Sequence, residues 1–317
     1  MAQPSRRQIR KSLTTNFNPG PAYFRQRTIL RATQAMHLPE WLRDGRVRRP
    51  VFILGAPRSG TTLLYRILRA HPQLAHWRPS EAHEVWELDY HPALRGWDSN
   101  VLTAQDVTDE AAARIRRSFG LVAGTSRRFI DKTPRNTLRV SFMEAVFPDA
   151  QYVFLKRDGR ENVNSLINAW RSPRYRVYRL PEPHAIPGVD PAWWKFVLYP
   201  GWRDDAHGPL EVVCARQWAV SNAFALDGGE KIGSDRWIEV RYEDLVDAPV
   251  DEVGRILERL GLSYAPPVHR GAAAVATTPV NTVTPPEPGK WKRENPDEIE
   301  RILPLIEPVA ARMGYAT

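Results

Sequence analysis

A single cysteine, Cys214, stands among 317 residues, so no intrachain disulfide can brace the fold and stability must come from a buried apolar core. Long apolar runs are lacking too: none approaches the roughly 20 residues that a helix needs to cross a bilayer, which excludes a membrane-spanning reading. The basic N-terminus, Met1 to Lys11, is not followed by the apolar segment of a secretory signal, and the expected location is the cytoplasm. His71, His76, His83 and His91 are scattered with no cysteine near them, so no metal is expected. No G-x-S-x-G elbow is present to mark a serine hydrolase. Lysine is scarce: of 45 basic residues only Lys11, Lys132, Lys156, Lys195, Lys231, Lys290 and Lys292 are lysine. An ammonium is a compact point charge and a guanidinium a flat fork, so the places where an arginine-rich chain keeps lysine invite attention.

What is present is a globular composition, 42% apolar and 26% charged, in a chain long enough for one large α/β domain or two ordinary ones. The net charge of +9 implies affinity for anions, whether nucleic acid, a membrane surface or a phosphorylated small ligand. Residues 1–49 read as a basic arm with one helix from Ala22 to Met36, and 50–317 as the main domain. Apolar strands are expected at Val51 to Leu54, Gln151 to Leu155 and Trp237 to Val240, with a shorter strand end at Phe129 to Lys132. Helical patterns run from Thr61 to Ala70, Arg135 to Phe147, Arg160 to Trp170, Leu210 to Leu226, Pro249 to Leu260 and Pro296 to Met313. Strands alternating with helices predict an α/β fold, a central parallel sheet flanked by helices on both faces. Periodicity fades over 171–209, rich in Pro, Arg, Tyr and Trp, which is too long for a connector and reads as a lid or irregular subdomain. A second irregular stretch is expected from Ala265 to Pro288.

Gly55-Ala-Pro-Arg-Ser-Gly60-Thr-Thr62 leaves the first strand and enters a helix with the spacing of a phosphate loop. Glycines at both ends let the backbone curl so that amides of the loop and of the first helical turn face an anion. A nucleoside-triphosphate loop would carry lysine where Thr61 stands, reaching the β and γ phosphates. Here the cation sits inside the loop at Arg58, so the anion differs in shape from a magnesium-bound triphosphate. Arg157 and Ser165, past the end of the Gln151 strand and on the next helix, can grip one phosphate from two sides. Asp158 reads as the cap of that helix, and Lys156 and Arg160 as surface charges.

The Pro57-Arg-Ser-Gly-Thr-Thr-Leu63 loop resembles the 5′-phosphosulfate motif of the sulfotransferases that use 3′-phosphoadenosine 5′-phosphosulfate (PAPS). The likeness continues, in order, through Ala70-His-Pro72, Asp131-Lys-Thr-Pro134, Arg157-Asp-Gly-Arg160 with Ser165, Tyr242-Glu-Asp-Leu245, Leu260-Gly-Leu262, Gly289-Lys-Trp291 and Met313-Gly-Tyr315. It is most similar to the branch holding bacterial small-molecule and carbohydrate sulfotransferases and the tyrosylprotein sulfotransferases. The resemblance implies a P-loop-like sheet, PAPS as donor, and no metal. It implies donor binding by Pro57, Arg58, Ser59, Gly60, Thr61, Thr62, Arg157, Ser165, Tyr242 and Lys290, with Trp291 packing beneath the nucleotide. Tyr242 reads equally as a core tyrosine beside a helix cap. Arg58 and Lys132 are the expected cations on the transferring group, and Glu81 the base that takes the acceptor proton, with His83 its competitor. Glu84 and Glu87 read as exposed helix charges.

Two other classes fit parts of the pattern. A P-loop kinase would want lysine at Thr61 and an acidic magnesium ligand at a strand end, where Lys156 and Arg157 stand instead. A nucleic-acid module could use Arg6, Arg7, Arg10 and Lys11, but no recognised binding motif accompanies them, and no nucleic-acid partner is expected. The expected partner is a small-molecule, glycan or lipid acceptor. Trp170, Trp193, Trp194 and Trp202, beside Arg174, Tyr175, Arg176 and Tyr178, could form its binding face or simply pack the lid.

Overall fold

The computed structural model describes residues 47–78, 81–124, 128–275 and 287–315. Its strands are β1 (Val51–Leu54), β2 (Leu74–His76), β3 (Arg128–Lys132), β4 (Gln151–Lys156), β5 (Tyr178–Arg179), β6 (Trp193–Trp194) and β7 (Trp237–Arg241). Five form one sheet in the order β2-β3-β1-β4-β7, all neighbours parallel, while β5 and β6 pair antiparallel in a separate ribbon. Every residue of β1 is buried, as the apolar run at the centre of a parallel sheet demands. Alternate residues feed two cores: Phe52 and Leu54 pack with Trp86, Phe119 and Phe147 on one face, and Val51 and Ile53 with Leu64, Ile238 and Ile256 on the other.

The helices are α1 (Thr61–Leu68), α2 (His83–Glu87), α3 (Asp109–Ala123), α4 (Val140–Val146), α5 (Gly159–Arg171), α6 (Trp202–Asp205), α7 (Leu210–Ile232), α8 (Tyr242–Asp247), α9 (Pro249–Leu260), α10 (Pro266–Ala273), α11 (Trp291–Glu294) and α12 (Pro296–Arg312). Those supplying the second core are α1, α8, α9 and α10; α3, α4, α5, α7 and α12 cover the first face. The expected α/β architecture is therefore the observed one. Register sets the working edge. Ile53 lies level with Lys132 and Val153, and Lys156 with Arg241, so the chain leaves β1, β3, β4 and β7 along one edge of the sheet.

Several expected boundaries move. The Arg135 to Phe147 helix divides into a 3₁₀ segment, Pro134–Arg139, and α4. Asn136 and Arg139, one 3₁₀ turn apart, both point inward to buried carboxylates, which the tighter winding permits. Helix α7 runs six residues past Leu226 because Gly228 and Gly229 let neighbours close in; a Cβ on Gly229 would lie 2.4 Å from Trp237 Cε2. Within the stretch expected to be irregular from Ala265, Pro266–Ala273 forms α10, its two prolines standing in the first turn where no amide is missed. The Ala22 to Met36 helix lies outside the described residues. Of the tryptophans in and beside 171–209, Trp170, Trp194 and Trp202 are buried packing, the first two edge to face at 5.2 Å and the last pair 4.8 Å apart. Only Trp193 of the four stays partly open, under the guanidinium of Arg176.

Candidate active site

The loop between β1 and α1 is shaped by two glycines. Gly55 sits so close to the next strand that a Cβ would lie 2.8 Å from the Leu155 carbonyl oxygen, and Gly60 has φ +99° with the Tyr242 ring 2.4 Å from where its Cβ would be. Arg58 is itself left-handed at φ +71°. Asn162 on α5 donates to the Pro57 carbonyl at 2.8 Å, and Ser59 N–H donates to Ala56 O at 3.1 Å, so the curl is fixed from both sides. Helix α1 opens at Thr61 with no acidic residue in its first turn and no side-chain cap, leaving its leading amides for an anion.

Beside the loop lie two guanidinium groups with only neutral partners among the described residues. Arg58 donates to Tyr175 Oη at 2.9 Å and Ser165 Oγ at 3.4 Å; Arg157 donates to the Arg58 carbonyl at 3.0 Å and lies 4.4 Å over the Tyr242 ring. Neither forms an ion pair among the described residues, and the buried Arg157 Nε has no partner there. Burial pushes the Arg58 guanidinium below its ordinary value, and Arg157 lowers it further, while Tyr175 opposes. Two guanidinium groups without an ion pair among the described residues, one of them at Ser165, form a receptor for a multiply charged anion. The Arg58 side chain thus stands on the Ser165 side of the loop in this structure, and Lys132 occupies the other. Tyr242 is half-buried beneath both Gly60 and Arg157, packed against the second core at the edge of the loop. Asp158 caps α5, accepting from Arg160 N–H at 2.8 Å.

On the far side, Lys132 at the end of β3 donates to Thr62 Oγ1 at 3.0 Å and to Glu81 Oε1, whose other oxygen meets His83 Nε2. Burial opposes ionisation of Glu81, yet Lys132 and then His83 outweigh it and hold the carboxyl well below the usual range. The segment is anchored by Asp131, fully buried, which accepts from Ala82 N–H at 3.1 Å, Trp86 Nε1 at 2.8 Å and Thr133 Oγ1 at 3.2 Å. Burial pushes its carboxyl upward against those donors. Adjacent residues of one strand thus do different work, Lys132 facing the loop and Asp131 fixing the turn that presents Glu81.

Glu87 is not the exposed charge expected of it. It is fully buried with Arg135 and Arg139, accepting from Arg139 at 2.9 Å and from Tyr178 Oη at 3.0 Å, and Asn100 donates to the same tyrosine oxygen at 2.7 Å. The amphipathic phase of α2 aims this position inward, and the two arginines follow three and seven residues after Lys132. Lys290 pairs with Glu294 at 3.4 Å, and Gly289 N–H donates to Glu161 at 2.6 Å, docking the Gly289-Lys-Trp291 segment on α5, the helix that carries Ser165. Asn164 and Asn168, on either side of Ser165, both donate to Glu294. Asp131, Glu87 and Tyr175 were not singled out for these roles by sequence. Asp131 borders Lys132 inside a motif, the one signal available; the other two answer to partners far along the chain. Among the described residues no group of three or more His, Cys, Asp or Glu could hold a metal, and no helix is long and apolar enough to cross a membrane.

A protein-family model described as the sulfotransferase family matches residues 50–185 and 193–266. Protein-tyrosine sulfotransferase A of Caenorhabditis elegans is 25% identical over 288 residues, covering 84% of this chain and 67% of that protein. Nodulation protein NoeE of Sinorhizobium fredii is 26% identical over 243 residues, covering 69% of this chain and 52% of that protein. Among solved structures, sulfotransferase STF9 from Mycobacterium avium superposes with a TM-score of 0.58 at 18% identity, covering 98% of this chain and 90% of that one, a likeness of fold. With the loop, the sheet edge and this match in register, the chain belongs to the sulfotransferase family.

Proposed function

We propose that the protein transfers the sulfuryl group of PAPS to a hydroxyl of a small-molecule, glycan or lipid acceptor. The observation that carries this reading is the pair of carboxylate-free guanidinium groups, Arg58 and Arg157, beside a phosphate loop that has Thr61 where a triphosphate loop has lysine. A nucleotide with a second phosphate away from its 5′ end fits this site: Arg157 and Ser165 hold the 3′-phosphate, with Lys290 docked on the same helix, and Arg58 serves the 5′-phosphosulfate end and the transferring group. The amides of Gly60, Thr61 and Thr62, the Ser59 hydroxyl and the carbonyl-braced turn at Pro57 hold the 5′ end. Tyr242 supports both arginine and loop. The donor supplies an activated sulfuryl group on a phosphate leaving group.

The chain's own contribution is charge and a proton site. Lys132 places an ammonium beside Thr62 at the loop mouth, where developing negative charge is stabilised without reorganisation. Glu81 stays ionised and so is ready to accept the acceptor's proton; any anion that draws Lys132 away raises its basicity, since Lys132 is the larger of the two charges that lower it. His83 orients the second carboxylate oxygen. No role is assigned to a metal. The test is transfer of labelled sulfate from PAPS into fractionated cell extract in the presence of EDTA, with the labelled product identified by mass. Label transfer that persists in EDTA supports the reading; transfer that requires magnesium, or labelled phosphate moved from ATP instead, overturns it.

A further inference from the structure

Two sequence motifs, Tyr242-Glu-Asp-Leu245 and Met313-Gly-Tyr315, meet at the donor edge of the sheet in a contact outside the transfer chemistry. Lys156 and Arg241 end β4 and β7 in register, so Arg157 and Tyr242 leave the sheet side by side, each followed at once by a carboxylate, Asp158 and Glu243. Either carboxylate, turned back onto the Arg157 guanidinium, would neutralise it and compete with an anion. Both are committed elsewhere. Asp158 accepts from Arg160 N–H at 2.8 Å and from the Arg160 side chain at 2.7 Å. Glu243 accepts from Asp158 N–H at 3.2 Å on one oxygen and from the Tyr315 hydroxyl at 2.6 Å on the other. Tyr315 is itself held in place. It is buried, Arg241 lies 4.3 Å over its ring and donates to the Gly314 carbonyl at 3.4 Å, and Tyr315 N–H closes the end of α12 onto the Ala310 carbonyl at 3.0 Å. Burial, and then the bond to Glu243, push the phenol above its ordinary value, so it stays a donor.

From this geometry we infer that Tyr315 is a positioning residue of the donor site: its hydroxyl holds Glu243 on the turn between β4 and α5, and so keeps Arg157 free of a carboxylate for the donor's 3′-phosphate. The inference rests on the donor reading given above. A tyrosine suits the task, because a neutral donor occupies the carboxylate without adding a cation that would bind phosphate for itself. Without that hydroxyl, one oxygen of a half-buried carboxylate is left open beside the stacked Arg157 and Tyr242, and pairing with the guanidinium satisfies it.

Calorimetry with adenosine 3′,5′-bisphosphate and AMP on wild type, Tyr315→Phe, Glu243→Gln and the double variant tests this. Tyr315→Phe, which keeps the ring under Arg241, should weaken the bisphosphate about three- to tenfold and leave AMP within about twofold. In the Glu243→Gln background no carboxylate remains to be released, so the same substitution should change bisphosphate affinity by less than about twofold. In the transfer assay, donor KM should rise in Tyr315→Phe while kcat stays within about twofold. An equal loss from Tyr315→Phe in both backgrounds would assign the hydroxyl to packing and overturn the inference. No loss in either background, or an equal loss for AMP, would overturn it too. Failure of the wild type to prefer the bisphosphate would instead sink the donor reading on which it stands.

Discussion

Glu81 is held by a cation on one oxygen and an imidazole on the other, and that placement decides what its removal should do. Glu81→Gln keeps size and hydrogen-bonding capacity but abolishes basicity. Turnover should fall by about 10² to 10⁴ while bisphosphate affinity survives, as measured by transfer assay and calorimetry on the same preparation. A nearly active Glu81→Gln alongside a dead His83→Ala would make the histidine the base. Lys132→Ala should slow transfer by about 10² or more through loss of a preorganised charge, and turnover within a few-fold of wild type would assign Lys132 to structure. At this scale the sequence was partly readable. Lys132 and Glu81 fall inside or after motifs, and both stand together at the loop. Tyr175 and Glu87 were opaque because their partners lie 117 and 52 residues away, a separation that no local pattern encodes.

Among the elements, the phosphate loop is the one whose form the sequence declares most fully, because glycine is needed where the backbone has no alternative. Gly60→Ala puts a methyl at φ +99° against the Tyr242 ring, which is itself trapped under Arg157. We expect about 1–3 kcal/mol of lost stability and loss of bisphosphate binding, read by denaturant melts and calorimetry. Unaltered binding would show that the loop tolerates a different curl. Strands β1 and β4 were legible because central parallel strands are continuous apolar runs, and β7, at the sheet edge, by its Trp237, Ile238 and Val240. Helix α3 was missed: its arginines and acidic residues dilute a stripe defined by Ala111, Ala112, Ile115, Phe119 and Ala123. The 3₁₀ turn after β3 was missed for another reason, since its inward polar side chains answer to Asp131 and Glu87 rather than to helix period.

The whole molecule joins its sheet to the 171–209 segment through a buried charge cluster, and that cluster sets an acid limit on the fold. Burial opposes ionisation of Glu87, but Arg135 and then Arg139 hold its carboxyl well below the usual range. A carboxyl lowered in the folded state gives stability that is complete above its unfolded value, near about 4.3, and is lost as pH falls through that value toward the folded one. Stability should therefore decline below about pH 5, with Glu81, shifted the same way, contributing to the same limb. Glu87→Gln leaves two buried arginines facing a neutral amide, so it should cost about 3–5 kcal/mol at neutral pH and flatten the acid limb. An unchanged pH profile in that variant would show that Glu87 carries none of the effect.

The arrangement of the four sheet-edge segments has one purpose in this account, to hold an adenosine nucleotide by a phosphate at its 3′ position as well as at its 5′ end. Isothermal calorimetry of the wild-type protein with adenosine 3′,5′-bisphosphate and with AMP tests that most directly. We predict a preference for the bisphosphate of about ten- to a hundredfold, the worth of a charge-assisted pair that one ligand makes and the other cannot, and its disappearance in Arg157→Ala. Equal affinities in the wild type would contradict the account.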